Sequence, residues 1–135
     1  MVSLGYVIFN VENVKASVDF YTNAFGFRQK MVTPEGDYGE LDTGETTLAF
    51  VANSLAHANL DEAGGFVELD ASEPPIAGSV TFVTTELHAV VERAIGAGAT
   101  NYVEPVDKPW GQSVSYLRDP NGILVEVATP VPAQD

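Results

Sequence analysis

Apolar positions along this chain follow two periods, and the switch from one to the other happens twice. From Leu4 to Val11 they alternate loosely in a run rich in Tyr, Val, Ile and Phe, which predicts a strand. Asn13 then stands where its side chain can accept hydrogen bonds from the free N–H groups of a helix start. Val14, Val18, Tyr21 and Phe25 follow at spacings of four, three and four, which gathers them on one helix face, and Gly26 marks the stop. One apolar stripe needs one sheet to cover it. Strands fit Phe27 to Thr33, Tyr38 to Leu41 and Thr46 to Ala52, separated by the turn residues Pro34-Glu35-Gly36 and Asp42-Thr43-Gly44. The predicted order is β-α-β-β-β.

The same order returns after Gly78. A strand at Ser79 to Thr84 leads into a helix from about Glu86 to Ala97, with Leu87, Val90, Val91, Ala94 and Ile95 as its apolar face and Gly96 and Gly98 at its end. Strands then fit Thr100 to Val106, Ser113 to Arg118 and Ile123 to Thr129, the last two joined by Asp119-Pro120-Asn121-Gly122. Val11 to Gly26 is as long as Val83 to Gly98, so the pattern reads as an internal duplication offset by about 72 residues. The chain is thus an α+β protein of two tandem βαβββ modules, residues 1–52 and 78–130, within one domain spanning 1–135. Residues 53–77 carry Gly64-Gly65, Pro74-Pro75 and a candidate short strand at Phe66 to Leu69. Loops of that length are uncommon inside a domain, which leaves a linker packed along the surface, the favoured option, or a lid. Residues 131–135 read as a frayed tail.

Composition narrows the classes of function. A chain of 135 residues buries roughly two thirds of its unfolded surface as one domain, whereas two independent domains would each lack a core. Nineteen acidic residues against six scattered basic ones give a net charge of −13, which argues against a nucleic-acid partner and favours solubility and cationic ligands. With no cysteine there is neither a disulfide framework nor thiolate chemistry. The start, MVSLGYVIFNVENV, lacks the basic and apolar regions of a signal peptide, and no apolar run approaches the ~18 residues of a membrane span. A cytoplasmic protein without membrane contact is expected. No P-loop and no Gly-x-Ser-x-Gly signature occurs.

Two stretches carry a resemblance. Val11-Glu12-Asn13-Val14-Lys15-Ala16-Ser17-Val18-Asp19-Phe20-Tyr21 with Phe25-Gly26-Phe27 resembles the opening helix of the vicinal-oxygen-chelate superfamily, the glyoxalase, bleomycin-resistance and extradiol-dioxygenase group. Glu104-Pro105, Lys108-Pro109-Trp110-Gly111-Gln112, Arg118-Asp119-Pro120-Asn121-Gly122 and Val125-Glu126-Val127 resemble the C-terminal module of many members. The resemblance implies half-open, curled mixed sheets facing each other around a cavity, often within a homodimer. In catalytic members it also implies a divalent metal held by one residue each from the first and fourth strands of both modules, typically His, Glu, His and Glu. Such ligands leave open positions where paired substrate oxygens are polarised.

Carried over position by position, the first-strand His falls on Tyr6 and its counterpart on Gly78, or on Ser79 if the register slips by one. The fourth-strand position of the first module falls on Ala49, or on Leu48 in the alternative register, and only Glu126 is retained. His57 lies in the linker and His88 near the start of the second helix, and both read as ordinary surface histidines that replace no ligand. No metal or other cofactor is therefore expected. Alternation along the fourth strand places Leu48 and Phe50 on the helix and Thr47, Ala49 and Val51 inward.

The candidate ligand-binding residues are Tyr6, Tyr38, Ala49, Trp110, Ser115 and Glu126, with Glu126 the sole catalytic candidate. Counting across the Asp-Pro-Asn-Gly turn pairs Ser115 with Glu126 on the cavity side and sends Tyr116 to the core; Tyr102 is left open, and Trp110 serves equally as a brace for its loop. The expected function is metal-independent binding of a small aromatic or cationic compound, such as an antibiotic, by a homodimer. The alternative is a lyase, isomerase or dioxygenase with a non-standard metal site or with Glu126 as general base.

Overall fold

A computed structural model describes residues 1–133 of the chain. In order it contains β1 (Tyr6–Val11), α1 (Val14–Phe25), β2 (Arg28–Val32), β3 (Tyr38–Asp42), β4 (Thr47–Ala52), α2 (Asn53–Leu60), a 3-10 turn (Asp61–Ala63), β5 (Ser79–Val83), α3 (Leu87–Gly96), β6 (Thr100–Asp107), β7 (Ser113–Arg118) and β8 (Leu124–Ala128). This is an α+β fold with two four-stranded mixed sheets, ordered β1-β4-β3-β2 and β5-β8-β7-β6. In each the first strand pairs parallel to the last and the other neighbours pair antiparallel, and neither sheet closes on itself. The chain divides into two compact units, Met1–Leu69 and Asp70–Asp135.

In the first unit the predicted cap forms as the residue types require. The Asn13 side chain accepts from the Ala16 N–H at 2.9 Å, and Gly26, in the left-handed region at φ 78°, returns its N–H to the Thr22 carbonyl. Val14, Val18 and Tyr21 are buried, and the Tyr21 ring stacks on Phe25 and Phe50 at 5.8 and 5.3 Å. Burying Tyr21 and Phe50 fully is worth about 1.5–3 kcal/mol each. The helix lies so close to β3 that a Cβ on Gly39 would stand 2.9 Å from Val14 Cγ1.

In the second unit Leu87, Val91 and Ala94 bury against a sheet face that supplies Leu117, Val125 and Val127. The expected stripe is narrower than predicted, because Ile95 stays 43% exposed and Val90 half-buried. Spacings of four and three put residues 87, 91 and 94 in line, and Ile95 falls to the flank of that line.

Residues 53–77 differ most from expectation. Their first part is helix α2, and Phe66–Leu69 forms no strand. The helix has only Ala56 buried and no side-chain cap, so it shows none of the periodicity by which a helix is read. Phe66 has a local partner instead, the His57 ring 4.5 Å away. Further on, the Arg118 guanidinium donates to the carbonyls of Ala71, Glu73 and Gly122, which fastens residues 71–73 to the β7–β8 turn. Residues 131–133 of the predicted tail are exposed without regular structure, and its last two residues lie outside the described residues. Among the described residues no helix is long and apolar enough to cross a membrane.

Candidate functional site

Each sheet packs one face on its helix and turns the other away from it, with Thr47 and Ala49 buried there by their neighbours, and strand alternation decides which side chains this helix-free face carries. In the first unit Phe50 stacks on α1, so Leu48 and Phe50 face the helix while Thr47, Ala49 and Val51 face away, as predicted. Registers add the rest of that face. Tyr6 pairs with Thr47, Ile8 and Glu40 flank Ala49, and Tyr38 pairs with Val51. Ala49 rather than Leu48 therefore shares a face with Tyr6.

The Tyr38 hydroxyl donates to Glu40 Oε2 at 2.7 Å, and Lys30 Nζ lies 3.8 Å from the same carboxylate, whose side chain is only 14% exposed. The Tyr38 phenol is pushed well above its usual value, first by burial, then by the hydrogen bond to Glu40 and the Glu40 charge, with Tyr6 adding to the same effect. Next to the small side chain of Ala49, the carboxylate on this face comes from the neighbouring strand.

The free face of the second unit carries Ser79, Thr81 and Val83 from β5, paired with Leu124, Glu126 and Ala128. Tyr6 and Ser79 correspond, since each pairs two residues before the fourth-strand position, Ala49 in one unit and Glu126 in the other. Of the two registers open for the second module, the structure thus selects Ser79 over Gly78. Thr81 donates to Glu126 Oε1 at 2.9 Å, and the Tyr116 hydroxyl is hydrogen-bonded to the same carboxylate. That bond, with burial and the Glu126 charge behind it, raises the Tyr116 phenol above its ordinary value. A cavity of about 260 Å³ opens beside the pair, lined by Gly78, Ser79, Tyr102, Val103, Tyr116 and Leu124.

Here the register prediction is corrected. Glu126 stands opposite Tyr116, and Ser115 stands opposite Val127. Ser115 is fully buried and donates its hydroxyl to the Val103 carbonyl at 2.8 Å, so it belongs to the packed side of the sheet and Tyr116 to the free one. The cause is the length of the turn. Asp119 N–H bonds to the Ile123 carbonyl, and the Asp119 carboxylate accepts from the N–H groups of Asn121 and Ile123, so three residues rather than two lie between the bonded pair that closes the hairpin. Gly122, at φ 96°, takes the left-handed conformation that such a three-residue loop demands. One extra residue flips every side chain to the other face. Tyr116, which the turn count sends to the core, and Tyr102, which the sequence leaves open, both line this cavity, and the signal for Tyr116 was that count.

Trp110 lies in the turn between β6 and β7 and is 60% exposed. Its Nε1–H donates to Gln112 Oε1, and Gln112 in turn donates to the Thr129 carbonyl, which is the bracing geometry for that turn. His57 sits on α2 beside Asp61 and Glu68, and His88 is exposed on the first turn of α3.

At the four positions where the resemblance implies metal ligands, the chain presents a phenol, a methyl group, an aliphatic hydroxyl and one carboxylate already accepting two hydrogen bonds. Such a donor set does not fit a divalent ion, which takes its ligands from imidazole, thiolate or several carboxylate oxygens. Among the described residues no three His, Asp or Glu side chains gather where they could hold one.

Comparison with known proteins bears on the fold. A glyoxalase-related enzyme from Fulvimarina pelagi superposes with a TM-score of 0.80 at 19% identity, over 96% of this chain and 89% of that one. A glyoxalase/bleomycin resistance protein/dioxygenase family enzyme from Burkholderia phytofirmans PsJN gives 0.81 at 23%, over 97% of this chain and all of the other. TioX from Micromonospora sp. ML1 gives 0.69 at 22%, over 95% and 98%. At these identities the likeness establishes architecture alone. The search of curated proteins returns no match. The family model of the Glyoxalase/Bleomycin resistance protein/Dioxygenase superfamily matches residues 3–127, nearly the whole chain, and the protein belongs to that superfamily.

Proposed function

We propose that this protein is a metal-independent binder that sequesters a small aromatic or cationic compound. The observation that carries the proposal is the second unit's cavity, walled by Tyr102 and Tyr116, with Tyr116 hydrogen-bonded to Glu126. At about 260 Å³ it falls just under the roughly 300–1,000 Å³ of drug-sized sites, which suits one ring or a ring-sized part of a larger ligand. Two phenol rings offer stacking surface, and the carboxylate behind one of them adds attraction for a positive group. The net charge of −13 favours the same class of ligand at longer range. The weak donor set supports metal independence. A second copy of the chain is the proposed macromolecular partner, in keeping with the family resemblance.

The test is a thermal-shift screen of the full chain against aromatic amines, cationic antibiotics and their neutral analogues, paired with elemental analysis. A ligand that binds only the folded state raises the melting temperature. Hits are expected among ring-containing cations, with the shift reduced by Tyr102→Ala and by Glu126→Gln. A stoichiometric divalent ion, retained through purification and lost on Glu126→Ala, would overturn the proposal in favour of metal-dependent catalysis. So would a hit whose shift both substitutions leave intact.

A further inference from the structure

The segment that follows β4 holds a group of ionisable side chains apart from the sheet faces. His57, on the second turn of α2, has both ring nitrogens against carboxylates. Nδ1 lies 2.9 Å from Asp61 Oδ1 and Nε2 lies 2.6 Å from Glu68 Oε2. Glu68 also accepts from the Asn53 side chain, one helical turn before His57, at 3.3 Å. Phe66 closes over the ring at a centroid distance of 4.5 Å. Residues 61–68 are thus folded back on α2 by one imidazole, with the Gly64 and Gly65 N–H groups bonding to Asp61 and Leu60 to make the bend.

A neutral imidazole has a single N–H and can satisfy only one of these carboxylates, whereas the imidazolium donates to both. From this geometry we infer that His57 is a proton-operated latch: protonated, it fastens residues 61–68 onto α2, and neutral, it releases them. The released segment ends the first unit at Leu69, so opening lengthens the free chain that leads to the second unit.

The groups facing His57 are Asp61 from the 3-10 turn and Glu68 beyond it, and Glu62 is the remaining charged residue of that turn. Of the strands α2 packs against, β4 has no titratable side chain and β1 only Tyr6, at the end remote from Ala52. The side chain of His57 is 37% exposed, so protons exchange freely with solvent. Hydrogen bonds to Glu68 and then Asp61 hold its proton above the usual imidazole value of 6.5. A raised folded value means the latch is complete below that usual value and opens as the pH climbs through the higher one.

The experiment is an NMR titration of the full chain, with His88→Asn to identify the His57 resonance, together with amide exchange of residues 60–69 expressed as protection factors. His57 is expected to titrate above the ordinary imidazole range, with protection over 60–69 lost across the same midpoint. In Glu68→Gln the His57 midpoint is expected to fall by about half a unit or more. In His57→Gln the segment is expected to stay unprotected at every pH while the sheets keep their protection. A midpoint at or below the ordinary value, protection unchanged through it, or a Glu68→Gln variant with the wild-type midpoint would each overturn the latch.

Discussion

At the scale of single residues, the two tyrosine–carboxylate pairs are what distinguish the free sheet faces of this chain. Tyr38 is the more constrained, since burial and Glu40 together hold its proton. In the unfolded chain a phenol titrates near ~10, so the folded state binds this proton more tightly. The bond's contribution is therefore whole below about pH 10 and is lost progressively above it, because there the unfolded phenol gives up its proton while the folded one still holds it. Tyr38→Phe removes both the bond and the pH dependence. Denaturant unfolding should show the variant less stable by about 1 kcal/mol at neutral pH, with the gap to wild type closing between about pH 10 and 12. A gap that is constant with pH would show that Glu40 does not retain this proton. The faces on which Tyr38 and Glu126 stand were legible in the sequence, because strand alternation fixes them. The Tyr116 assignment was not, because facing in a hairpin depends on the parity of its turn, and a third loop residue is set by the bonds Asp119 accepts rather than by any hydrophobic pattern.

At the scale of elements, α1 packs closely on its sheet, and Gly39 is where the two meet. A methyl group there would lie 2.9, 3.1 and 3.3 Å from atoms of Val14, Val18 and Val32, and all three neighbours are β-branched side chains with little freedom to turn aside. Gly39→Ala should cost about 1–3 kcal/mol by overpacking, read from the denaturant midpoint. Val14→Ala should cost stability alone, yet in the double variant it should recover part of the Gly39→Ala loss, because the two changes share one contact. Strict additivity would place the strain elsewhere. The same tight packing made α1 legible, since a helix that buries one face writes a 3.6-residue period into the sequence. Helix α2 buries only Ala56 and is held by hydrogen bonds from its flanks, so it writes none. The periodicity that identifies a helix is a record of its burial, and an element fastened by polar contacts leaves no such record.

At the scale of the whole molecule, the charge imbalance is shared by both units. The first carries ten acidic and three basic residues, the second nine and three. The three cations of the first unit are each committed to a carboxylate, Lys15 to Asp19, Arg28 to Asp42 and Lys30 to Glu40, all through ammonium or guanidinium groups more than half exposed. Exposed pairs of this kind are worth roughly 0–1 kcal/mol each, and salt weakens them. In the second unit Arg118 spends its donors on backbone carbonyls, bonds that do not depend on a partner's charge. Against these modest attractions stands the mutual repulsion of the uncompensated carboxylates, which added salt screens over a Debye length of about 10 Å at 0.1 M. Repulsion outnumbers attraction in each unit, so screening should stabilise the protein. The melting temperature should rise from ~0.01 M to ~0.2 M sodium chloride at neutral pH, and a fall over that range would mean that the ion pairs outweigh the net charge. The same screening should weaken a cationic ligand drawn by the overall field more than a neutral ring held by stacking. Comparing the salt dependence of ligand-induced shifts for charged and neutral hits therefore separates long-range attraction from the contacts made by Tyr102 and Tyr116.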